Sequence, residues 1–251
     1  MPFLNQKRKD VIKVLSIDLD YIMGPTIELY QQIFFDDHPT FRWNKLFTQT
    51  NFRESHLSID QGNLVYCYHL FLKALKNNPL VSFGYDHDAI LFGIKNYDKI
   101  DLINIDHHDD VLHADGSCKS LEVEYMGVSQ YDRVCEGNWI AWLHSKGKLN
   151  SCTWIHNENS DGLKRNDFHV KLLGDKYKTS LRQDYKFEDY NFDHVFVCLS
   201  PQYTPPNHWH YFSMFMMAYE EMTGKEIDLV YNTKHQLVLQ YDAVTKAIGL
   251  S

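Results

Sequence analysis

The chain has 251 residues, 44% hydrophobic and 23% charged, which suits one large α/β domain or two small ones and allows a full core without staples. Its formal net charge of -8 argues against broad nucleic-acid binding, which needs a basic face. Five cysteines, odd in number, widely spaced and without a CxxC, read as reduced thiols of a cytoplasmic protein, and neither a signal core in MPFLNQKRKD nor an apolar run near the roughly 18 residues of a membrane span is present.

In chain order, VIKVLSID (Val11 to Asp18) reads as a buried strand, and a helix is expected near Ile27 to Phe35. Asn63 to Leu75 carries apolar residues at helical spacing. PLVSFGY (Pro79 to Tyr85) and DLINID (Asp101 to Asp106) are expected strands. Gly137 to Ser145 reads as a helix and SCTWIHN (Ser151 to Asn157) as a strand. HVKLLG (His169 to Gly174), HVFVCLS (His194 to Ser200) and EIDLVY (Glu226 to Tyr231) are further expected strands, with long helices over Trp209 to Met222 and His235 to Ile248. Near-continuous apolar strands alternating with helices predict an α/β fold, a mostly parallel β-sheet with helices on both faces. With no internal repeat and no low-complexity linker, residues 1–251 read as a single domain.

Three motifs stand at expected strand ends. In SIDLDY, Asp18 and Asp20 close a strand, and residues two apart on a strand face the same side. In FGYDHDA, His87 follows a strand and opens a helix. In NIDHHDDV, Asp106, His108 and Asp110 leave a third strand at D-x-H-x-D spacing. A parallel sheet puts all strand C-termini on one edge, where ligands bind, so three loops distant in sequence can converge there. Carboxylate oxygens with imidazole nitrogens suit Mn, Fe or Zn, no cysteine is near the set, and the oxygen-rich mixture leans towards Mn(II). Taken singly, a D-x-D is often a helix cap, and D-x-H-x-D is a polar turn with local hydrogen bonds. The signal lies in the combination.

These residues resemble the arginase/deacetylase superfamily, specifically its ureohydrolase branch. SIDLD looks like that branch's S-x-D-x-D, GYDH like its G-G-D-H with Tyr85 replacing a glycine, and DHHDD like its D-A-H-x-D. The resemblance implies two Mn(II) ions per chain. His87, Asp106, Asp110 and Asp18 would hold one; Asp106, His108, Asp18 and Asp20 would hold the other, with Asp106 and Asp18 bridging. The chain departs from the pattern in two ways. The D-x-D precedes the other motifs instead of following them, so the order is permuted. Arginases acting on free arginine carry an Asn two residues after the last Asp of D-x-H-x-D, and here that position is Leu112. The N-terminal SIDLD, the DHHDD run and the EGNW segment (Glu136 to Trp139) are similar to the peptide arginases of ribosomal-peptide maturation, which convert arginine side chains within a precursor peptide to ornithine and urea.

Charge agrees with that chemistry. Four aspartates bring -4 and two divalent ions +4; a hydroxide then leaves the cluster slightly anionic, suited to a guanidinium. A mononuclear deacetylase-like site would need neither Asp20 nor Asp110. Asp110, Glu136 and His156 are the expected catalytic residues, with Asp110 orienting the nucleophile and His156 or His113 carrying a proton. Glu136, Asn138 and Trp139 are the expected substrate-binding set. A helix N-terminal acid accounts for Glu136 equally well, and a core position accounts for Trp139. Glu158 is a lesser candidate. Asp86, His107 and Asp109 are expected to face away or to support the ligands, and Ser200 to Pro206 form a rim loop or a plain turn. The expected substrate is an arginine-containing peptide, with no nucleic acid and no membrane as partners and a homo-oligomer possible. The alternatives are a ureohydrolase for a free guanidine compound such as arginine or agmatine, and a non-catalytic metal-binding interaction module.

Overall fold

The apolar run Val11–Asp18 forms β1, and its alternation sends side chains into two separate cores: Leu15 and Ile17 on one face, Ile12 and Val14 on the other. A strand buried on both faces needs helices on both, and the computed structural model has them. It describes residues 10–24, 43, 58–112, 134, 136–158, 160, 171, 173–227 and 229–230. The further strands are β2 (Leu80–Gly84), β3 (Lys99–Ile105), β4 (Leu149–His156), β5 (Tyr177–Leu181), β6 (His194–Cys198) and β7 (Leu229–Val230). They form one seven-stranded sheet in the order β5-β4-β3-β1-β6-β2-β7. Every neighbouring pair is parallel.

On one face lie α1 (Gln61–Leu75) and α4 (Trp209–Thr223). The Asp60 carboxylate caps α1 by accepting from Asn63 N at 2.8 Å. Leu64, Cys67, Phe71 and Ala74 then recur at helical spacing and pack with Phe212, Phe215 and Tyr219 of α4 against Val81, Phe83, Val195 and Val197. Gly224, left-handed at φ 64°, ends α4 with its N–H on Glu220 O. The other face carries α2 (Leu91–Ile94) and α3 (Trp139–Ser145), which pack with Leu102, Trp154 and Phe196. The approach of α2 to β6 is close: a Cβ at Gly93 would run into the His194 imidazole. Among the described residues no helix is long and apolar enough to cross a membrane.

One expected strand is misplaced. Lys171 and Leu173 are helical, Gly174–Lys176 is a 3-10 turn, and the strand is Tyr177–Leu181 instead. HVKLLG is short and apolar, a pattern that helix and strand share. The real strand lies at the sheet edge, where only Tyr177 is buried and Lys178 and Thr179 face outward, so it leaves little apolar signal. The helices expected near 27–35 and 235–248 lie outside the described residues.

Register positions the site. Ile17 pairs with Ile105, and Asp18 and Gly84 both pair with Cys198. The C-terminal ends of β1, β2, β3 and β6 are therefore level, at the sheet edge where all three motifs leave it.

Candidate metal centre

β1 ends at Asp18, and Asp20 lies in a 3-10 turn, Leu19–Ile22, not on the strand. Strand alternation therefore does not align these two acids. The turn does, because Asp18 Oδ1 accepts from Asp20 N at 3.2 Å and folds the chain back over the strand end. His87 opens a 3-10 turn (His87–Ile90) that runs into α2. Asp106, His108 and Asp110 follow β3, and Asp110 adopts φ 53°, a left-handed conformation that aspartate tolerates better than most residues.

The six side chains meet as two groups. His87 Nδ1 lies 3.2 Å from Asp18 Oδ2 and 2.9 Å from both Asp106 Oδ2 and Asp110 Oδ2. His108 Nδ1 lies 2.9 Å from Asp20 Oδ2 and 3.9 Å from Asp106 Oδ1. Asp106 thus turns one oxygen towards each imidazole. Asp18, His87 and Asp106 are able to hold one metal ion, and Asp20, Asp106 and His108 another. Asp18, which the resemblance makes a second bridge, belongs to the first group only, with Oδ1 on the Asp20 amide.

The donors fit a cation. His87 Nδ1 and Asp20 Oδ2 are buried without a hydrogen-bond partner although carboxylate or imidazole atoms lie about 3 Å away. Carboxylate and imidazole atoms crowded this closely converge on a shared point, as ligands do. Ser16 Oγ lies 2.6 Å from His87 Nε2. Accepting the Nε2 proton, it leaves the Nδ1 lone pair facing the carboxylates, the arrangement metal-binding histidines need.

Protonation follows from the same crowding. Burial, then the charges of Asp18 and Asp106, pushes Asp20 up to about 8. Burial and Asp106 hold Asp110 well above the usual carboxylate range. Burial works against charge on His108 and His87, but Asp20 lifts His108 to about 10, and Asp110 and Asp106 lift His87 well above its ordinary value. Burial also opposes ionisation of Asp106, yet the His87 charge outweighs it and keeps Asp106 low. The cluster is short of positive charge, and protons supply it where cations do not.

Sequence reasoning missed most of the supporting cast. Ser200 Oγ donates to Asp18 Oδ2 at 2.5 Å, and Trp154 Nε1 donates to the Asp106 carbonyl at 3.0 Å. Trp139, expected as a substrate contact, is fully buried; its indole N–H donates to Asp110 Oδ2 at 2.6 Å and its ring lies 5.0 Å from that of His87. An enclosed indole offers no surface to a substrate, so its place is behind the ligands. Asn138 is likewise buried, at the start of α3. A cysteine is near after all: Cys198 Sγ lies 3.3 Å from Ser200 Oγ, and burial followed by the Asp18 charge keeps its thiol protonated. Ser16 was visible two residues before Asp18 on the same strand face; the loop from Ser200 was expected at the rim or as a plain turn, but nothing local tied the Ser200 hydroxyl to Asp18.

The remaining expected residues scatter. Glu136 is half-buried, and Leu112, which bonds through its N–H to Gly137 O at 3.0 Å, is 44% exposed beside it. His156 ends β4 next to the Asp106 end of β3, with Nδ1 3.1 Å from the Asn157 carbonyl, and burial lowers its pKa. Glu158 is exposed, and His113 lies outside the described residues. Asp86 accepts from Gln202, the Asp109 carbonyl accepts from Tyr177 OH, and the His107 amide donates to Asp20 Oδ1 at 3.4 Å, so all three support the ligand loops. Compared with family models, curated proteins and solved structures, the chain matches none of them.

Proposed function

We propose that the protein is a binuclear manganese hydrolase of the ureohydrolase type that converts arginine residues of a peptide to ornithine and urea. The observation that carries this reading is Asp106, which turns one carboxylate oxygen to each of two imidazoles, His87 buried and His108 partly exposed, in a cluster of four aspartates. A single-ion site has no use for a shared carboxylate, or for Asp20 and Asp110 beyond it. Asp18, His87, Asp106 and Asp110 would hold one ion, and Asp20, His108 and Asp106 the other. When bound, the ions supply Lewis acidity and a water activated near neutral pH.

The chain's own groups supply the rest. Trp139 fixes the Asp110 carboxylate through its indole N–H. With the Nδ1 proton of His156 on the Asn157 carbonyl, Nε2 is left to exchange a proton with the leaving amine. Glu136, half-buried, is the candidate partner of the substrate guanidinium. Leu112, exposed beside Gly137, offers no polar group to a free amino acid's carboxylate and ammonium, which favours a peptide over free arginine.

The test is mass spectrometry of an arginine-containing peptide incubated with the Mn(II)-loaded protein. Loss of one cyanamide unit per arginine, with urea released, is the expected result. Urea from free arginine or agmatine alone moves the assignment to a small-molecule ureohydrolase. Neither product, with less than about one Mn bound per chain, overturns the enzyme reading.

A further inference from the structure

The loop after β6 touches all three ligand-bearing loops. β6 lies between β1 and β2 in the sheet, so its C-terminal end opens between Asp18 and the turn that bears His87. Ser200 Oγ donates to Asp18 Oδ2, the same oxygen that lies 3.2 Å from His87 Nδ1. Gln202 Nε2 donates to Asp86 Oδ1 at 2.8 Å, one residue before His87. The Tyr203 ring lies against the His108 imidazole, with centroids 4.6 Å apart.

The loop is itself held from several sides. Ser200 N donates to Tyr85 O and Leu199 N to Gly84 O, both at 3.0 Å. Tyr203 N and Thr204 N both donate to Ser200 O, closing a tight turn. Trp43 Nε1 donates to Pro201 O at 2.9 Å. A braced loop of this kind can impose geometry on what it touches.

We infer that Ser200, Gln202 and Tyr203 are positioning residues that set the geometry of both ion groups from a single loop. The inference rests on the two-ion reading above. Carboxylates crowded in a dry pocket repel, and each takes a defined orientation only when a donor pins one of its oxygens. Ser200 does this for Asp18. Gln202 fixes the turn that carries His87. Tyr203 covers His108, whose side chain is 21% exposed while those of the other five ligands are 4% or less.

The experiment is Mn(II) titration of the full chain, followed by equilibrium binding and by the spin-coupled electron paramagnetic resonance signal of an ion pair, with thermal unfolding measured alongside. Loss of an outer-shell partner typically weakens metal binding about tenfold or more. Ser200→Ala is expected to weaken binding to the His87 group by that factor. Tyr203→Ala is expected to weaken the second ion by a similar factor, retain the first and lose the coupled signal at stoichiometric Mn(II), while Tyr203→Phe keeps both ions. Should Ser200→Ala fail to fold, Ser200→Gly, which suits the φ of 46° at that position, removes the same hydroxyl. Affinities within about twofold of native in the Ser200 and Tyr203→Ala variants, or a Tyr203→Phe as impaired as the alanine variant, overturn the inference. A native chain that takes up no Mn(II) overturns the metal reading itself, and the native titration distinguishes the two failures.

Discussion

The two halves of the cluster are built differently. The His87 half is closed: Asp18, Asp106, Asp110 and His87 are all buried, and Ser16, Ser200, Asn104 and Trp139 each pin one of them. The His108 half is looser. His108 is partly exposed, and the Tyr203 ring lies against its imidazole. A rigid, dry group suits a resident ion, and an accessible one suits the side from which a substrate enters. The difference gives the cluster a direction.

The largest expected effect erases the comparison. Asp106→Ala removes the carboxylate common to both groups, so on the proposed two-manganese reading the Mn content measured by elemental analysis is expected to fall from two ions to fewer than one per chain, with loss of the proposed hydrolysis. His108→Ala instead leaves one tightly held ion, whereas His87→Ala weakens both. Equal loss in the two histidine variants would abolish the asymmetry. A smaller effect sharpens it. Trp139→Phe deletes the bond to Asp110 and leaves a small void, at an expected cost of about 1–3 kcal/mol in denaturant unfolding, together with weaker binding at the His87 group alone.

A further contrast, spread over the pH range and not concentrated in one variant, asks whether acid sensitivity belongs to the site. His194 lies on β6 at the far end from the ligands, paired with Ser82 at 2.7 Å, and burial lowers its pKa to about 4. The unfolded chain binds that proton below roughly 6.5 while the folded chain refuses it. Its contribution is therefore complete above that pH and is lost as pH falls towards 4, up to roughly 3 kcal/mol. The raised Asp20 and Asp110 work in the opposite sense, since the folded state keeps protons there that the unfolded chain releases. In His194→Gln without metal, stability should fall less steeply between pH 6.5 and 4 than in the native chain. An unchanged slope would rule out His194 as a source of the acid response.

The sheet was legible because its strands are apolar on both faces, a pattern that survives without tertiary knowledge. β1, β2, β3, β4 and β6 lie where the sequence places them, within a residue or two at each end. β5 was illegible because an edge strand with one buried residue carries almost no hydrophobic period. The six candidate ligands were legible because a parallel sheet converts three distant strand ends into neighbours. Their supports were not. Ser200 is 182 residues from Asp18 and Trp139 29 from Asp110, and nothing local marks a hydroxyl or an indole as belonging to a carboxylate across the fold. Asp18 and Asp20 converge for a reason the alternation argument did not contain, a turn closed by the first acid's own carboxylate.

The central position of β1 has a kinetic consequence. Its partners are β3 and β6, so its hydrogen bonds to β6 wait for residues 194–198 to be synthesised and delivered. Parallel pairings of such long sequence separation form slowly, because loop closure is paid before any contact rewards it. The nascent chain therefore carries the end of β1, with Asp18 and Asp20, without its β6 partner through most of its production. In a refolding experiment Mn(II) should be taken up in the last phase, after the sheet's fluorescence and circular dichroism changes, and a fragment ending before β6 should bind it weakly or not at all.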